Sequence, residues 1–460
     1  MLWPTKPFLT LATFCGILLL TDLAPVLKDY KVMDWRTVPA LLDFVNRTRS
    51  ASPEVEEQQR LRPDTDAMRQ QKHPIEDEGH DLDRFYRALH RAESKEGVVR
   101  ILHYGDSPTT ADMITSDVRT LLQKRFGDAG HGFFLIAKPW AWYAHHGLEI
   151  RGGGWFIDPV NQSSVKDGLF GLGGVSFRGA AGATASIQLK GGGHTSLEVA
   201  YLRQPGGGQF RVEAGGQSAG FVNTHSDKLM SGFEEFKVDP SHRDFVVRAM
   251  GGPVRIFGAR LERKTPGVVY NSLGVNGAYV SVLARLISEE HWREQLQHYR
   301  PDLVIINYGT NESVYPQFVD TASARELKEV VRRLRAAAPD ASILLMSPMD
   351  RGQRMAGGEI GTVPTIPRLV AIQQRVASET ASAFFNTFAA MGGVGTMGRW
   401  YEAEPRLVGA DFIHPMPAGA KIVGGLLYQA LVDGYTKYKL RLIQARRIAS
   451  SAVPSGQGGE

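Results

Sequence analysis

Four short stretches of this 460-residue chain hold side chains and backbone groups that could do chemistry together. The first is Gly105-Asp106-Ser107, between a β-type run (Val98–Tyr104) and a helical stretch read as Thr110–Phe126. A serine there sits near a helix N-terminus, where unpaired N–H groups and the macrodipole favour developing negative charge. That suits a nucleophile whose own N–H helps hold an oxyanion, with Asp106 as a structural residue of the turn. The second is Asp411-Phe412-Ile413-His414-Pro415. On a bent loop a carboxylate three residues before a histidine can take its Nδ1–H, leaving Nε2 free to accept a serine proton. The third is Tyr308-Gly309-Thr310-Asn311-Glu312, after the apolar run Leu303–Asn307. Ligand crevices of parallel sheets lie at strand C-termini, and the Asn311 amide can donate to an oxyanion there. The fourth, Asn271-Ser272-Leu273-Gly274-Val275-Asn276-Gly277-Ala278, offers a backbone N–H at Gly277, with Gly274 as the competing donor. Each stretch alone also fits a commonplace reading: an N-cap, a surface loop, or an ordinary Gly/Asn turn.

Other candidates fall away on context. Gly216-Gln217-Ser218-Ala219-Gly220 has the spacing of a nucleophile elbow, but Phe221-Val222-Asn223-Thr224 is β-branched and turn-like where that elbow requires a helix, and the glycines read as a hairpin. Ser163-Ser164-Val165-Lys166 fits S-x-x-K without the later K-T-G. His145-His146 adjoins no carboxylate at metal-ligand spacing, and no phosphate loop or dinucleotide fingerprint is present, so no metal and no cofactor is expected. Trp140, Trp142, Tyr143 and Trp155 cluster in sequence near a change of texture, and read as core or as sugar-stacking rings.

The elements that must position these groups come in three blocks. Asp81–Leu89 carries Leu82, Phe85, Tyr86 and Leu89 on one helical face. From about His146 to Gly267 glycine becomes dense and short alternating segments such as Ser196–Leu202 and Asp244–Ala249 predict an inserted antiparallel β-sandwich. From Val268 strands and helices alternate again (Val268–Leu273, Leu303–Tyr308, Ser323–Ala338, Ser342–Ser347, Pro367–Ala381, Ala418–Tyr435), which implies a parallel sheet flanked by helices. The expected organisation is an α/β domain over 81–145 and 268–445, interrupted by the sandwich over 146–267 and followed by a disordered tail, 446–460.

Composition narrows the classes. The chain is 43% hydrophobic and 22% charged, near the globular average. Its single cysteine, Cys15, excludes disulfides, Cys-rich zinc sites and a thiol nucleophile in the globular body. The net charge of +5 is scattered, with no basic arm, so no nucleic-acid partner is expected. Phe8–Leu20 is apolar and follows Lys6, as in an export signal. Extension to Leu27 makes an uncleaved membrane anchor the competing reading, and Phe14 is too large to precede a lipidated Cys15. Residues 28–80 read as a linker, with Arg47–His80 polar and free of aromatic residues.

Taken in order, the Gly-Asp-Ser, the Gly after a second strand, the Gly-x-Asn after a third and the Asp-x-x-His before the last helix resemble the four blocks of the SGNH (GDSL-like) hydrolase superfamily. The resemblance covers Asp81–Trp142 and Val268–Tyr435, about half of the chain. It implies a flavodoxin-like α/β fold and ester hydrolysis by Ser107, His414 and Asp411. The oxyanion hole it implies is formed by the N–H groups of Ser107 and Gly277 and the Asn311 side chain, with no cofactor. The departure is the long gap between the first two blocks, which the β-insert fills. An insert at this point, with Gly127-Asp128-Ala129-Gly130-His131-Gly132, resembles bacterial peptidoglycan O-acetylesterases with a carbohydrate-binding-type domain. The implied activity is removal of O-acetyl groups from a cell-envelope glycan, peptidoglycan or exopolysaccharide. The apolar N-terminal run puts the expected site of action in or facing the periplasm, and the sequence leaves the oligomeric state open, with a monomer favoured. A polysaccharide O-acetyltransferase using the same triad and a non-catalytic glycan-binding protein are the alternatives.

Overall fold

The computed structural model describes residues 73–451. The expected export segment and most of the expected linker lie outside them. Among the described residues no helix is long and apolar enough to cross a membrane.

Helix α1 (Asp83–Glu93) buries the predicted face, Phe85, Tyr86 and Leu89. It leads into β1 (Val98–Gly105), a single turn α2 (Ser107–Thr110) and α3 (Met113–Phe126). The expected continuous helix from Thr110 to Phe126 is therefore broken. Asp112 lies at φ 52° in the left-handed region. Its buried carboxylate explains the break: it takes both guanidinium nitrogens of Arg119 (3.1 and 2.6 Å), the Thr115 hydroxyl and the His146 N–H.

The strands of the insert are β2 (Gly130–Phe134), β3 (Leu148–Gly153), β4 (Phe156–Pro159), β5 (Val175–Gly179), β6 (Thr184–Leu189), β7 (Ser196–Arg203), β8 (Gln209–Ala214), β9 (Gln217–Asn223), β10 (Met230–Lys237), β11 (Asp244–Gly251) and β12 (Val254–Glu262). They make two antiparallel sheets, β10-β7-β12-β5-β4 with β2 on β12, and β3-β6-β11-β8-β9. Val199 and Ile256 from one sheet share a core with Ile187, Val212 and Phe245 from the other. Because Gly130–Phe134 pairs with Ala259–Glu262, the sandwich takes in chain earlier than the expected boundary at 146. That strand is too short, and too close to α3, for its pattern to show in sequence.

The chain returns through β13 (Gly267–Gly274), α4 (Glu289–Tyr299), β14 (Leu303–Asn307), α5 (Pro316–Thr321), α6 (Ser323–Ala337), β15 (Ser342–Met346), a small hairpin β16 (Gly352–Arg354) and β17 (Ile360–Thr362), α7 (Thr365–Glu379), β18 (Ala383–Phe385), α8 (Thr387–Ala390), α9 (Thr396–Glu402) and α10 (Pro417–Ser451). A parallel sheet runs β13-β1-β14-β15-β18. This is the flavodoxin-like order, whose direction of winding reverses at β1 and opens a crevice at the strand C-termini. Leu303–Ile306 are wholly buried, as a central strand covered on both faces requires.

Within the expected linker, Glu76 exchanges backbone hydrogen bonds with Phe384 (2.8 and 2.9 Å) and covers the β18 edge. The last helix runs past Arg446 to Ser451, beyond the expected start of the disordered tail.

Candidate active site

The register of the parallel sheet sets the site. Gly105, the last residue of β1, pairs with Gly274 of β13 on one side and Asn307 of β14 on the other. The three strands thus end at one level, and the segments that follow them reach into one crevice. Ser107 opens α2, Gly277 lies in the turn after β13, and Asn311 lies in the loop after β14. All three line a cleft of about 600 Å³ together with His414, Trp142, Met113 and Pro108.

Ser107 is 9% exposed and its Oγ lies 2.8 Å from His414 Nε2. His414 Nδ1 lies 2.6 Å from Asp411 Oδ2. The other oxygen, Asp411 Oδ1, accepts the backbone N–H groups of Ile413 (3.0 Å) and His414 (3.1 Å). One carboxylate therefore both closes the turn and orients the ring. With Nδ1–H donated to Asp411, Nε2 presents its lone pair to the Ser107 hydroxyl. Burial pushes the Asp411 carboxyl up, but the His414 hydrogen bond and the two backbone N–H donors hold it below the usual carboxylate range. Between them Phe412 sits at φ 58°. Its ring is buried edge-on against Tyr401, 4.9 Å between centroids, so packing sustains this unfavourable backbone at the bend.

The two glycine candidates separate on geometry. A Cβ on Gly274 would lie 2.1 Å from the backbone nitrogen of Thr110, because α2 packs directly on that strand end. Gly277 lines the cleft with nothing nearer than 3.9 Å to such a Cβ, and its φ is 67°. Ala278 N donates to Val275 O at 3.2 Å, closing a four-residue turn. Positive φ at Gly277 but not at Asn276 makes it type II. Asn311 Nδ2 donates one hydrogen to Ala278 O at 2.9 Å, tying its loop to this turn; the second amide hydrogen remains for the cleft. Arg351, which the sequence did not single out, donates to Thr310 O at 2.7 Å and steadies the same loop.

Helix α2 has only four residues, so the dipole expected at Ser107 is that of one turn. Asp106 makes no side-chain cap; burial pushes its carboxyl up to about 6, opposed by a hydrogen bond with Thr310 and the nearness of His414. Glu312, next to Asn311, is buried and accepts from Val280 N at 2.7 Å; burial pushes it up to about 8.

The other sequence candidates lie elsewhere. Ser218 is exposed on the β8–β9 hairpin. Ser163 donates to Asp158 and Lys166 to the Ser163 carbonyl, closing a loop after β4. His145 and His146 pack around Asp112. Trp140 and Tyr143 are core residues, whereas Trp142 is 53% exposed at the rim of the cleft. Ala144 N reaches Thr110 O (3.4 Å) and His146 N reaches Asp112 (2.8 Å), which fastens the Trp142 segment beside α2.

Residues 240–422 match the family model for GDSL-like lipases/acylhydrolases. That range holds Gly277, Asn311, Asp411 and His414, while Ser107 lies before it. A peptidoglycan O-acetylesterase structure superposes with a TM-score of 0.66 at 21% identity, over 79% of this chain and 96% of that one. A family two carbohydrate esterase from Clostridium thermocellum, solved with cellohexaose, aligns over 61% of this chain and 97% of its own at 14% identity and TM-score 0.26. An α/β hydrolase enzyme from the metagenome of Lake Arreo, Spain, aligns over 35% and 72% at 19% identity and TM-score 0.27. The last two are too distant to bear on the site. No curated protein matches the chain in sequence. The second part of the chain, residues 240–422, is thus similar to GDSL-like lipases/acylhydrolases, and most of its length shares a fold with a peptidoglycan O-acetylesterase, with most of a β-sandwich lying between Ser107 and the matched range.

Proposed function

We propose that this protein is a serine esterase that removes O-acetyl groups from a cell-envelope glycan through an acyl-enzyme. The observation that carries the reading is the unbroken relay Ser107–His414–Asp411, set at the edge of a cleft that also receives Gly277 and Asn311. Ser107 Oγ attacks the acetyl carbonyl as His414 Nε2 takes its proton, and Asp411 stabilises the resulting imidazolium. The N–H groups of Ser107 and Gly277 and the Asn311 amide hold the oxyanion. The tetrahedral adduct collapses, His414 gives the proton to the departing sugar oxygen, and the acetyl group stays on Ser107. Water then attacks with His414 again as base, releasing acetate and restoring the serine. The roles of these five residues belong to this proposal.

The glycan reading is supported by two facts. A structural relative that superposes over most of the chain is a peptidoglycan O-acetylesterase. The cleft is larger than an acetyl group needs, is walled by Pro108, Ala111 and Met113, and has the flat, half-exposed Trp142 ring at its mouth, suited to the apolar face of a pyranose. The apolar N-terminal run supports a site of action outside the cytoplasm. Acetate release from a panel of O-acetylated peptidoglycan and exopolysaccharides tests the substrate class. Turnover of those polymers is expected; efficient cleavage of lysolipids or acyl-CoA with none of the glycans would overturn it.

A further inference from the structure

We infer that Asn161, a residue of the inserted sandwich, is a positioning residue for the oxyanion hole: its side-chain amide fixes the Asn276–Gly277 peptide so that the Gly277 N–H faces the cleft. The inference rests on the esterase reading above. Asn161 follows β4 in a turn held by Gln162 N and Ser163 N on Pro159 O (3.0 and 2.7 Å) and by Val160 N on Gly174 O (3.0 Å). From there its Nδ2 donates to Asn276 O at 2.9 Å. A carbonyl can only accept, so the amide must present its NH₂ to it.

That carbonyl belongs to the same planar, trans peptide as the Gly277 N–H, and the two point in opposite directions. Anchoring the oxygen on the insert side therefore aims the hydrogen away from Asn161. The alternative matters because Asn276 and Gly277 are the two central residues of the turn. Type I and type II turns differ by rotation of this central peptide, which trades φ > 0 for φ < 0 at the second position. Gly277 at φ 67° adopts either at little cost, since it has no Cβ. The turn itself is closed by the Ala278 N to Val275 O bond, and a 275→278 bond of this kind is common to both types. The Asn161 contact selects one. A hydrogen bond to the carbonyl also polarises the peptide and strengthens its N–H as a donor. The sandwich is then part of the catalytic apparatus, not only an attached domain.

The test compares native protein, Asn161→Ala and the near-isosteric Asn161→Asp, which keeps the volume but loses the donor. All are assayed on an aryl acetate, and their affinities for an aryl boronic acid, whose serine adduct mimics the tetrahedral intermediate, are measured. Loss of a full oxyanion donor costs about 10²–10³ in rate, so a mis-aimed donor is expected to lower kcat by roughly 10-fold or more. KM should stay within about two-fold, and boronate affinity should fall by the same factor as kcat/KM, per folded molecule. Unchanged kcat in both variants, or a loss that follows only the folded fraction with boronate affinity intact, overturns the inference. Ser107→Ala, run in parallel, separates the two claims. Its inactivity beside fully active Asn161 variants sinks this inference alone, while surviving turnover in Ser107→Ala removes the esterase reading and this inference with it.

Discussion

Ser107 Oγ and His414 Nε2 stand 2.8 Å apart across 307 residues of chain. Each end also has its own anchor. Ser107 is fixed by the β1–α2 junction, buried beneath the cleft. His414 is fixed by Asp411, which uses one oxygen for the turn and the other for the ring. Asp411→Asn keeps the shape but lets an amide NH₂ face Nδ1, so that Nδ1 must accept and Nε2 carries the proton. The wrong tautomer then meets the Ser107 hydroxyl. A fall in kcat of about 10²–10⁴ is expected on any acetyl ester, with little change in KM. Steady-state kinetics checks it; native-like turnover would remove Asp411 from the relay.

Asn311→Ala should lower kcat/KM by about 10²–10³, the usual effect of removing one oxyanion donor. Since Asn311 also ties its loop to Ala278 O, the melting temperature must be recorded beside the kinetics. A loss no larger than the change in folded fraction would show that Asn311 serves only the loop.

Glu312 predicts a pH dependence of stability. Its folded pKa, about 8, is raised from 4.5, so the folded state binds the proton more tightly than the unfolded one. Below pH 4.5 both states hold it and there is no difference. As pH rises from about 4.5 to 8 the unfolded state ionises first, and stability falls with pH across that window. Glu312→Gln keeps an acceptor for Val280 N and should flatten this fall, leaving the variant more stable than the native protein at pH 8. Urea unfolding at several pH values measures it, and parallel curves for the two proteins would contradict the assignment.

Trp142→Ala removes the exposed ring at the mouth of the cleft. On a saccharide acetate KM should rise about 5- to 10-fold, consistent with roughly 1 kcal/mol of stacking. On the acetate of a small aliphatic alcohol it should not change. Equal effects on both substrates would show that Trp142 shapes the cleft without recognising sugar.

Much of this arrangement is legible in sequence, because the chemistry lies in local motifs at predictable places. Leu303–Asn307 is apolar enough to be a central strand, so the Gly309–Asn311 loop falls at a strand C-terminus. Asp411 and His414 carry their relationship within three residues. The rest depends on contacts between distant segments. Gly274 and Gly277 look alike until α2 is seen lying on Gly274. The break at Asp112 comes from Arg119 and His146, which act through the folded structure and override helix propensity. Asn161 is one more turn asparagine in sequence; its partner, Asn276, is brought to it only when the sandwich folds back on the sheet. Trp142 and Trp140 are two residues apart with opposite fates, since the turn at Tyr143 buries one and leaves the other at the cleft.

The central claim is that Ser107 carries the acetyl group. Native protein and Ser107→Ala can be incubated with O-acetylated peptidoglycan, acetate release followed, and the quenched protein examined by mass spectrometry. Acetate release by the native protein, loss of at least about 10³-fold of that rate in Ser107→Ala, and an acetyl group found on Ser107 alone are the predicted results. Undiminished acetate release by Ser107→Ala would contradict the account.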